Sequence, residues 1–341
     1  MPSTRVIAVD PDRPDPRIIA EASRILRRGG LVAFATETVY GLGADATNPA
    51  AVARIFAAKG RPATNPLIVH VHDKLAAREA VSHWPDRAEK LADRFWPGPL
   101  TLVLPRSKII PDLVTAGQNT VGVRVPNLGV ARWLILEAGR PIAAPSANRS
   151  MGISPTLAKH VLEDLDGKID LILDSGPTTV GIESTVLDLS EKDAQILRPG
   201  QITAEAISLV LDDDVLFPPH ATGPSKSPGQ MKIHYAPRTP AYRIERGQDF
   251  AQVIPKQFVH LIFGETVSDR QLPRPARMTG ITSYQWTTPE LAAHNFYNQL
   301  HEIDARGLDF LIIIPPPDEP QWRALRDRIW RATQPWPGDK I

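Results

Sequence analysis

The apolar periodicity of this chain stops between residues 212 and 240. That stretch begins with Asp212-Asp213-Asp214 and runs through Phe217-Pro218-Pro219-His220-Ala221-Thr222-Gly223-Pro224-Ser225-Lys226-Ser227-Pro228-Gly229-Gln230. Each proline fixes φ and removes a backbone donor, so neither a helix nor a central strand continues through it. The chain therefore divides into a large unit over residues 1–212, a linker over 213–237 and a small unit over 238–341. The linker ends in Met231-Lys232-Ile233-His234-Tyr235-Ala236-Pro237, too apolar and aromatic for a free spacer. Loops of this length in compact proteins are often lids, and a lid is the expectation here.

Within the large unit, Asp15-Pro16 predicts a helix start, and Ile18, Ile19, Ala22, Ile25 and Leu26 recur at helical spacing up to Gly29-Gly30. Residues 31–35 read as a buried strand, and Thr36-Glu37-Thr38-Val39-Tyr40-Gly41-Leu42-Gly43 as a hydroxyl-rich turn that ends in glycine. Asn48-Pro49 starts a helix that ends at Lys59. Further strands are expected at 67–71, 100–104, 120–125, 141–144, 169–173, 184–189 and 195–198, and helices near 74–81, 86–95 and 128–138. Ser154-Pro155 is expected to open a helix to about Leu165, and Thr203 to cap one through Leu211. This mixture predicts an α/β domain around a mixed sheet. Several strands follow one another directly, which disfavours a simple doubly wound sheet. In the small unit, residues 258–263 and 310–314 read as buried strands, 289–306 as an amphipathic helix and 322–332 as a final helix. Two apolar strands bracketing a helix suggest a parallel, Rossmann-like α/β domain, although no Gly-x-Gly-x-x-Gly or Walker lysine marks it as nucleotide-binding.

Lys and Arg number 39 against 38 Asp and Glu, a net charge of +1, so no global field favours nucleic acid or a membrane surface. A local basic cavity remains compatible with that balance. With no cysteine, disulfides, thiolate zinc sites and a cysteine nucleophile are excluded. No signal peptide and no run of about 18 apolar residues is visible, so a cytoplasmic protein is the expectation.

Polar residues collect at the predicted strand ends, where α/β proteins build their sites. Thr36-Glu37-Thr38 follows one strand, Lys59-Gly60-Arg61 precedes the next, and His70 lies within that next strand. Thr120 and Arg124 flank another, followed by Pro145-Ser146-Ala147-Asn148, Gly181-Ile182-Glu183-Ser184-Thr185 and Arg198-Pro199-Gly200. Singly, each has an ordinary explanation. Lys59 and Arg61 suit an exposed helix C-terminus, Arg124 a solvent-facing edge strand, His70 a core histidine, and Ser146 with Asn148 a turn. Together they set four cations (Lys59, Arg61, Arg124, Arg198) among neutral hydrogen-bonders (Thr36, Thr120, Ser146, Asn148, Ser184). That set suits an anionic ligand with a phosphate chain and a carboxylate. No nucleophile elbow and no His-Glu-x-x-His motif is present. Phosphoryl and nucleotidyl transfer need positioning and charge neutralisation, usually with Mg²⁺, and no enzyme nucleophile.

The motifs Thr36-Glu37-Thr38-Val39-Tyr40-Gly41-Leu42-Gly43, Lys59-Gly60-Arg61-Pro62…Asn65-Pro66-Leu67, Pro145-Ser146-Ala147-Asn148, Glu183-Ser184-Thr185-Val186 and Leu197-Arg198-Pro199-Gly200 resemble the threonylcarbamoyl-AMP synthases. The linker, with Ser227-Pro228-Gly229-Gln230 and His234-Tyr235-Ala236-Pro237, resembles the two-domain form of that family. The resemblance implies an open, twisted α/β domain with a concave basic cleft. It implies an enzyme joining L-threonine, bicarbonate and ATP into threonylcarbamoyl-adenylate and pyrophosphate. The product would pass to a tRNA threonylcarbamoyl transferase complex that modifies the adenosine beside the anticodon in tRNAs reading codons that begin with A. By motif, Thr36, His70, Arg124 and Ser184 would hold threonine, with Arg124 on its carboxylate. Lys59, Arg61, Ser146, Asn148 and Arg198 would hold ATP, the first two acting as the catalytic pair nearest the phosphates. Thr120, Ala144, Ser154 and Tyr235 would complete the ATP set. Mg²⁺ would arrive with ATP, without a protein ligand or an organic cofactor. Ala35 stands where the family often has proline, and Ile233 where some members carry a second cation. Two other readings are a double-stranded RNA or tRNA-binding module without turnover, and carbamoyl transfer to a protein partner. The +1 net charge argues against the first. The second usually accompanies zinc-finger modules, which a cysteine-free chain lacks.

Overall fold

The computed structural model describes residues 3–217, 228, 234–244, 258–263 and 282–337. They fall into two compact units, one within residues 1–150 and 154–231, the other within 151–153 and 232–341. Most of the stretch expected to form a lid lies outside the described residues.

Local chemistry sets the helix ends of the first unit. Asp15 accepts the Arg17 N–H at 2.8 Å, and Pro16 opens the helix Pro16–Arg27. Asn48 accepts from the N–H groups of Ala50 and Ala51 ahead of the helix Pro49–Lys59, and Thr203 accepts from Ala206 ahead of Ala204–Leu211. Each such cap stabilises its helix by about 1 kcal/mol. Gly60 ends the second of these helices at φ 60°, a backbone conformation that costs glycine little.

The strands described in this unit are β1 (Arg5–Ala8), β2 (Val32–Ala35), β3 (Tyr40–Asp45), β4 (Ile68–His70), β5 (Leu100–Pro105), β6 (Thr120–Arg124), β7 (Ile142–Ala143), β8 (Leu171–Asp174), β9 (Thr185–Asp188), β10 (Ala194–Arg198) and β11 (Val215–Leu216). They form one sheet in the order β1-β8-β2-β3-β7-β4-β6-β5-β9-β10-β11. It is mixed, as expected: β4 and β6 run parallel, as do β5 and β9, whereas β5 and β6 run antiparallel. Around β2 and β8 both faces are covered, with Val32, Phe34, Leu171 and Leu173 packed against Leu26, Leu134 and Ile135 on one side. At the centre the two faces differ. Val69, Leu102, Val121, Val123 and Leu187 enter the main core. Alternation with period two turns Ile68, Val103 and Val186 to the other side, where they form only a small cluster. Beside them that second face carries His70, Thr101, Thr120 and Arg124, and the candidate site is built there.

Two local expectations are corrected. Thr36–Gly43 is not all turn: residues 36–39 turn the chain, and β3 then pairs antiparallel with β2, Ala35 opposite Tyr40. Its glycines serve close packing, since a Cβ on Gly43 would lie 2.7 Å from Phe34 Cε1 and 3.0 Å from Ile142 Cγ2. Ser154 caps no helix. Its hydroxyl donates at 2.5 Å to Glu183 Oε1, the Pro155 carbonyl accepts from Tyr40 N, and the helix begins at Ala158.

In the second unit, β12 (Ala241–Arg243), β13 (Phe258–Phe263), β14 (Thr282–Trp286), β15 (Phe310–Ile314) and β16 (Gln334–Pro335) pair in the order β14-β13-β15-β12-β16. Every registered pair is parallel. The two strands expected from their apolar runs, β13 and β15, lie side by side. The other three were not expected, being short or mixed in polarity. Thr288 caps the helix Pro289–Asp304, and a helix over Arg323–Ala332 follows one 3₁₀ turn. Among the described residues, no helix is long and apolar enough to cross a membrane.

Candidate active site

Arg124 ends β6, between β4 and β5, so it does not face solvent on an edge; it is 3% exposed. Register sets it beside His70, the last residue of β4 and on the same sheet face. The guanidinium is fixed on three sides. Nε donates to the Gly98 carbonyl at 3.2 Å, Nη1 donates to Thr38 Oγ1 at 3.0 Å, and Nη2 lies 2.7 Å from Glu37 Oε1. Thr36 holds the loop that carries these partners. Its hydroxyl donates to the Val39 carbonyl at 2.8 Å and lies 2.8 Å from Thr38 Oγ1.

Ser184 stands at the start of β9. Its Oγ lies 2.8 Å from Thr101 Oγ1 and accepts from Arg198 Nη2 at 3.1 Å, while Arg198 Nε donates to the Ser184 carbonyl. Arg198 is brought there at the end of β10, where pairing with β9 shifts register. Burial, then the nearby Arg124 and Arg198 charges, pushes His70 down to about 3. The imidazole is therefore neutral at physiological pH, and no hydrogen bond reaches its Nδ1 among the described residues.

A second group of cations precedes β4. Lys59, 3% exposed, donates its Nζ to the carbonyl of Ser146 at 2.5 Å, to the carbonyl of Asn148, and to Asn148 Oδ1 at 3.3 Å. Burial, then the Arg61 charge, holds its pKa well below the usual lysine value. Arg61 donates to the carbonyls of Asn65 and Pro66 at 3.2 and 2.9 Å, bracing the proline elbow. Ser146 Oγ donates to Asn148 Oδ1 at 2.6 Å, and Ala144 N donates to the Ile68 carbonyl at 3.0 Å. Arg124 is thus level with the last residue of β4, whereas Lys59 and Arg61 precede that strand in sequence and are held by the Ser146–Asn148 segment and the proline elbow. Neither group of cations is the exposed, solvated set that each residue suggests alone.

Thr120 begins β6, four positions from Arg124, and the β4–β6 register sets it level with Pro66 rather than with His70. Ser154 is fully buried, with its hydroxyl on Glu183. Tyr235 belongs to the second unit. There it is 1% exposed at φ 62°, its ring against His234 and Tyr297, with the Arg328 guanidinium 5.4 Å from the ring centroid. Three polar residues of the site had no role assigned from sequence. Glu37 and Thr38 were visible as an acid and a hydroxyl directly after a buried strand. Thr101 carried no signal, lying inside an apolar run.

A family model described as "Telomere recombination" matches residues 24–200, and one described as "Threonylcarbamoyl-AMP synthase, C-terminal domain" matches residues 202–334. A threonylcarbamoyl-AMP synthase of Pyrococcus abyssi is 40% identical over 315 residues, covering 92% of this chain and 93% of that one. One from Bacillus subtilis is 40% identical over 330 residues, covering 93% of each. Among solved structures, the P. abyssi Sua5 protein complexed with L-threonine matches with a TM-score of 0.86 at 37% identity, over 97% of this chain and 99% of that chain.

Proposed function

Because the chain belongs to the threonylcarbamoyl-AMP synthase family, we propose that it is a nucleotidyltransferase that makes L-threonylcarbamoyladenylate and pyrophosphate from L-threonine, bicarbonate and ATP. The observation that carries this reading is the burial of two cation groups, Arg124 with Arg198 and Lys59 with Arg61, each held by its own polar partners. One is joined by a neutral imidazole and hydroxyls, the other by carbonyl and amide groups.

Each group suits one anion. Arg124 presents a planar fork to the threonine carboxylate, the geometry for which arginine is the better cation. His70, Thr36 and Ser184 offer neutral polar contacts beside it. Lys59 and Arg61, with Ser146 and Asn148, suit the phosphates, and Arg198, which holds Ser184, is assigned with them to ATP. Threonine's amine and bicarbonate condense to a carbamate with loss of water. A carbamate oxygen attacks the α-phosphorus, and pyrophosphate leaves. No enzyme nucleophile is needed. The chain holds two mutually repelling anions in contact, and such positioning is worth up to roughly 7–11 kcal/mol of barrier. The donor set on the phosphate side contains no carboxylate, so a metal fits there only as a companion of the nucleotide. Mg²⁺ arriving with the nucleotide would supply part of the charge neutralisation, and Lys59 and Arg61 would bind the phosphates beside it. Thr120, Ala144 and Ser154 belong to the nucleotide side of this proposal.

Downstream, the mixed anhydride is a threonylcarbamoyl donor. We assign its use to modification of the adenosine beside the anticodon in tRNAs reading codons that begin with A, through a separate transferase. Labelled bicarbonate tests the reaction itself. Label is expected in an adenylate only when both L-threonine and ATP are present, and threonine-independent labelling would contradict the assignment.

A further inference from the structure

Glu37 is the one carboxylate that touches the Arg124 guanidinium among the described residues, and its geometry is unusual for an ion pair. Oε1 lies 2.7 Å from Arg124 Nη2, and the two side chains are 6% and 4% exposed. Yet neither atom makes a directed hydrogen bond: the N–H vectors of Nη2 do not point at Oε1. The guanidinium is turned elsewhere by its bonds to Gly98 and Thr38. The carboxylate in turn is tied from behind, with Oε2 accepting the Asn127 N–H at 3.0 Å and the Glu37 carbonyl accepting from Val180 N at 2.7 Å. Backbone and side chain are both anchored, so Glu37 stays in place whether or not Arg124 is engaged. Its Oε1 is buried and, though in contact with Arg124 Nη2, accepts no directed hydrogen bond, so its acceptor capacity is open to a further donor.

In an α-amino acid the carboxylate and the ammonium sit on one carbon. A ligand whose carboxylate takes the Arg124 fork therefore carries its ammonium within reach of a carboxylate that contacts the same guanidinium. We propose that Glu37 is a specificity-determining residue, whose Oε1 accepts the α-ammonium of the amino acid held by Arg124 and so rejects carboxylates lacking an amine. A ligand with a carboxylate alone would draw Arg124 away and leave Glu37 buried and unpaired. A ligand with both groups satisfies both residues. Once the amine has become a carbamate it keeps one N–H, so the donor to Glu37 persists through the reaction. His70, beside Arg124 on the same sheet face, is neutral and offers no countercharge to an ammonium. The assignment rests on the threonine-binding reading of the site.

Calorimetric titration of L-threonine and of 3-hydroxybutyrate, which lacks only the amine, tests it on the full chain. Wild type is expected to bind L-threonine about 10–100-fold more tightly than 3-hydroxybutyrate. Glu37→Gln, which keeps the shape and an acceptor for Asn127 N–H, is expected to shrink that ratio to within a few-fold of unity. A purely structural role would weaken both ligands alike and leave the ratio unchanged, which would overturn the assignment. Equal binding of the two ligands by wild type would overturn it without recourse to any variant. Failure of wild type to bind L-threonine at all would instead contradict the synthase reading.

Discussion

Lys59 and Asn148 are joined twice, because the buried ammonium donates to both the main-chain and the side-chain oxygen of that asparagine. The lysine thus ends a helix and anchors the Ser146–Asn148 segment at once. The role in the reaction proposed for this side chain would therefore coincide with a role in the fold.

For Lys59→Ala and Arg61→Ala, pyrophosphate release is expected to fall by about 10²–10³-fold, the scale of losing one transition-state charge contact. Far-UV circular dichroism and a cooperative melt should be retained in both. Lys59→Ala should show the larger drop in Tm, since it also frees the oxygens of Ser146 and Asn148. Release close to the wild-type rate in both variants would contradict the assignment of these cations to the phosphates.

His70 makes the stability of the first unit depend on pH. The unfolded chain takes up its proton below about 6.5, whereas in the folded chain the imidazole stays neutral down to about 3. Protons therefore favour the unfolded state over this window. Stability is fully present above about pH 6.5 and falls as pH drops toward 3, with a slope of up to about 1.4 kcal/mol per pH unit. Denaturant melts at pH 7 and pH 5 should show a larger loss for wild type than for His70→Gln. An equal loss would remove His70 as the cause.

The central strands were legible from short apolar runs, and helix starts from Asp15-Pro16, Asn48-Pro49 and Thr203, because caps and periodicity are local. What was not local was not legible. β3 was hidden because its glycines read as a turn, whereas they make room for Phe34 and Ile142. β1 and β11 are edge strands of four and two residues, too short for a period to register, and Ser154 was misread because its partner, Glu183, is distant in sequence. At the site, the cations were recognisable by type and motif. Their burial, and the pairing of Arg124 with Glu37, depend on strand order, which single-sequence patterning does not encode.

Gly122 lies on the polar face of β6 between Thr120 and Arg124, and a Cβ there would come 3.2 Å from Thr101 Cγ2 and 3.5 Å from Ile68 Cγ1. Gly122→Val should therefore overpack the floor of the site, at a cost of about 1–3 kcal/mol in stability. KM for L-threonine should rise more than KM for ATP. Unchanged KM values would mean that the face carrying Arg124 does not meet the amino acid.

Arg198 grips both the carbonyl and the hydroxyl of Ser184. Lysine supplies the charge without the fork, so Arg198→Lys should not be neutral. A rise of about 10-fold in KM for ATP is expected in steady-state assays, with the Tm lowered only slightly. Wild-type kinetics would show that charge alone suffices.

Chelation separates binding from chemistry. With the metal carried by the nucleotide, as proposed, excess EDTA should abolish pyrophosphate release while leaving calorimetric L-threonine binding intact. Loss of L-threonine binding on chelation would contradict that division.

The most direct measurement is pyrophosphate release by the purified chain with L-threonine, bicarbonate and ATP, each omitted in turn, and with L-serine replacing L-threonine. Release is expected only with all three substrates, and about 10-fold or more slowly with L-serine, which lacks the methyl group. Release that persists without L-threonine, or salt-sensitive RNA binding with no release under any condition, would contradict the synthase account.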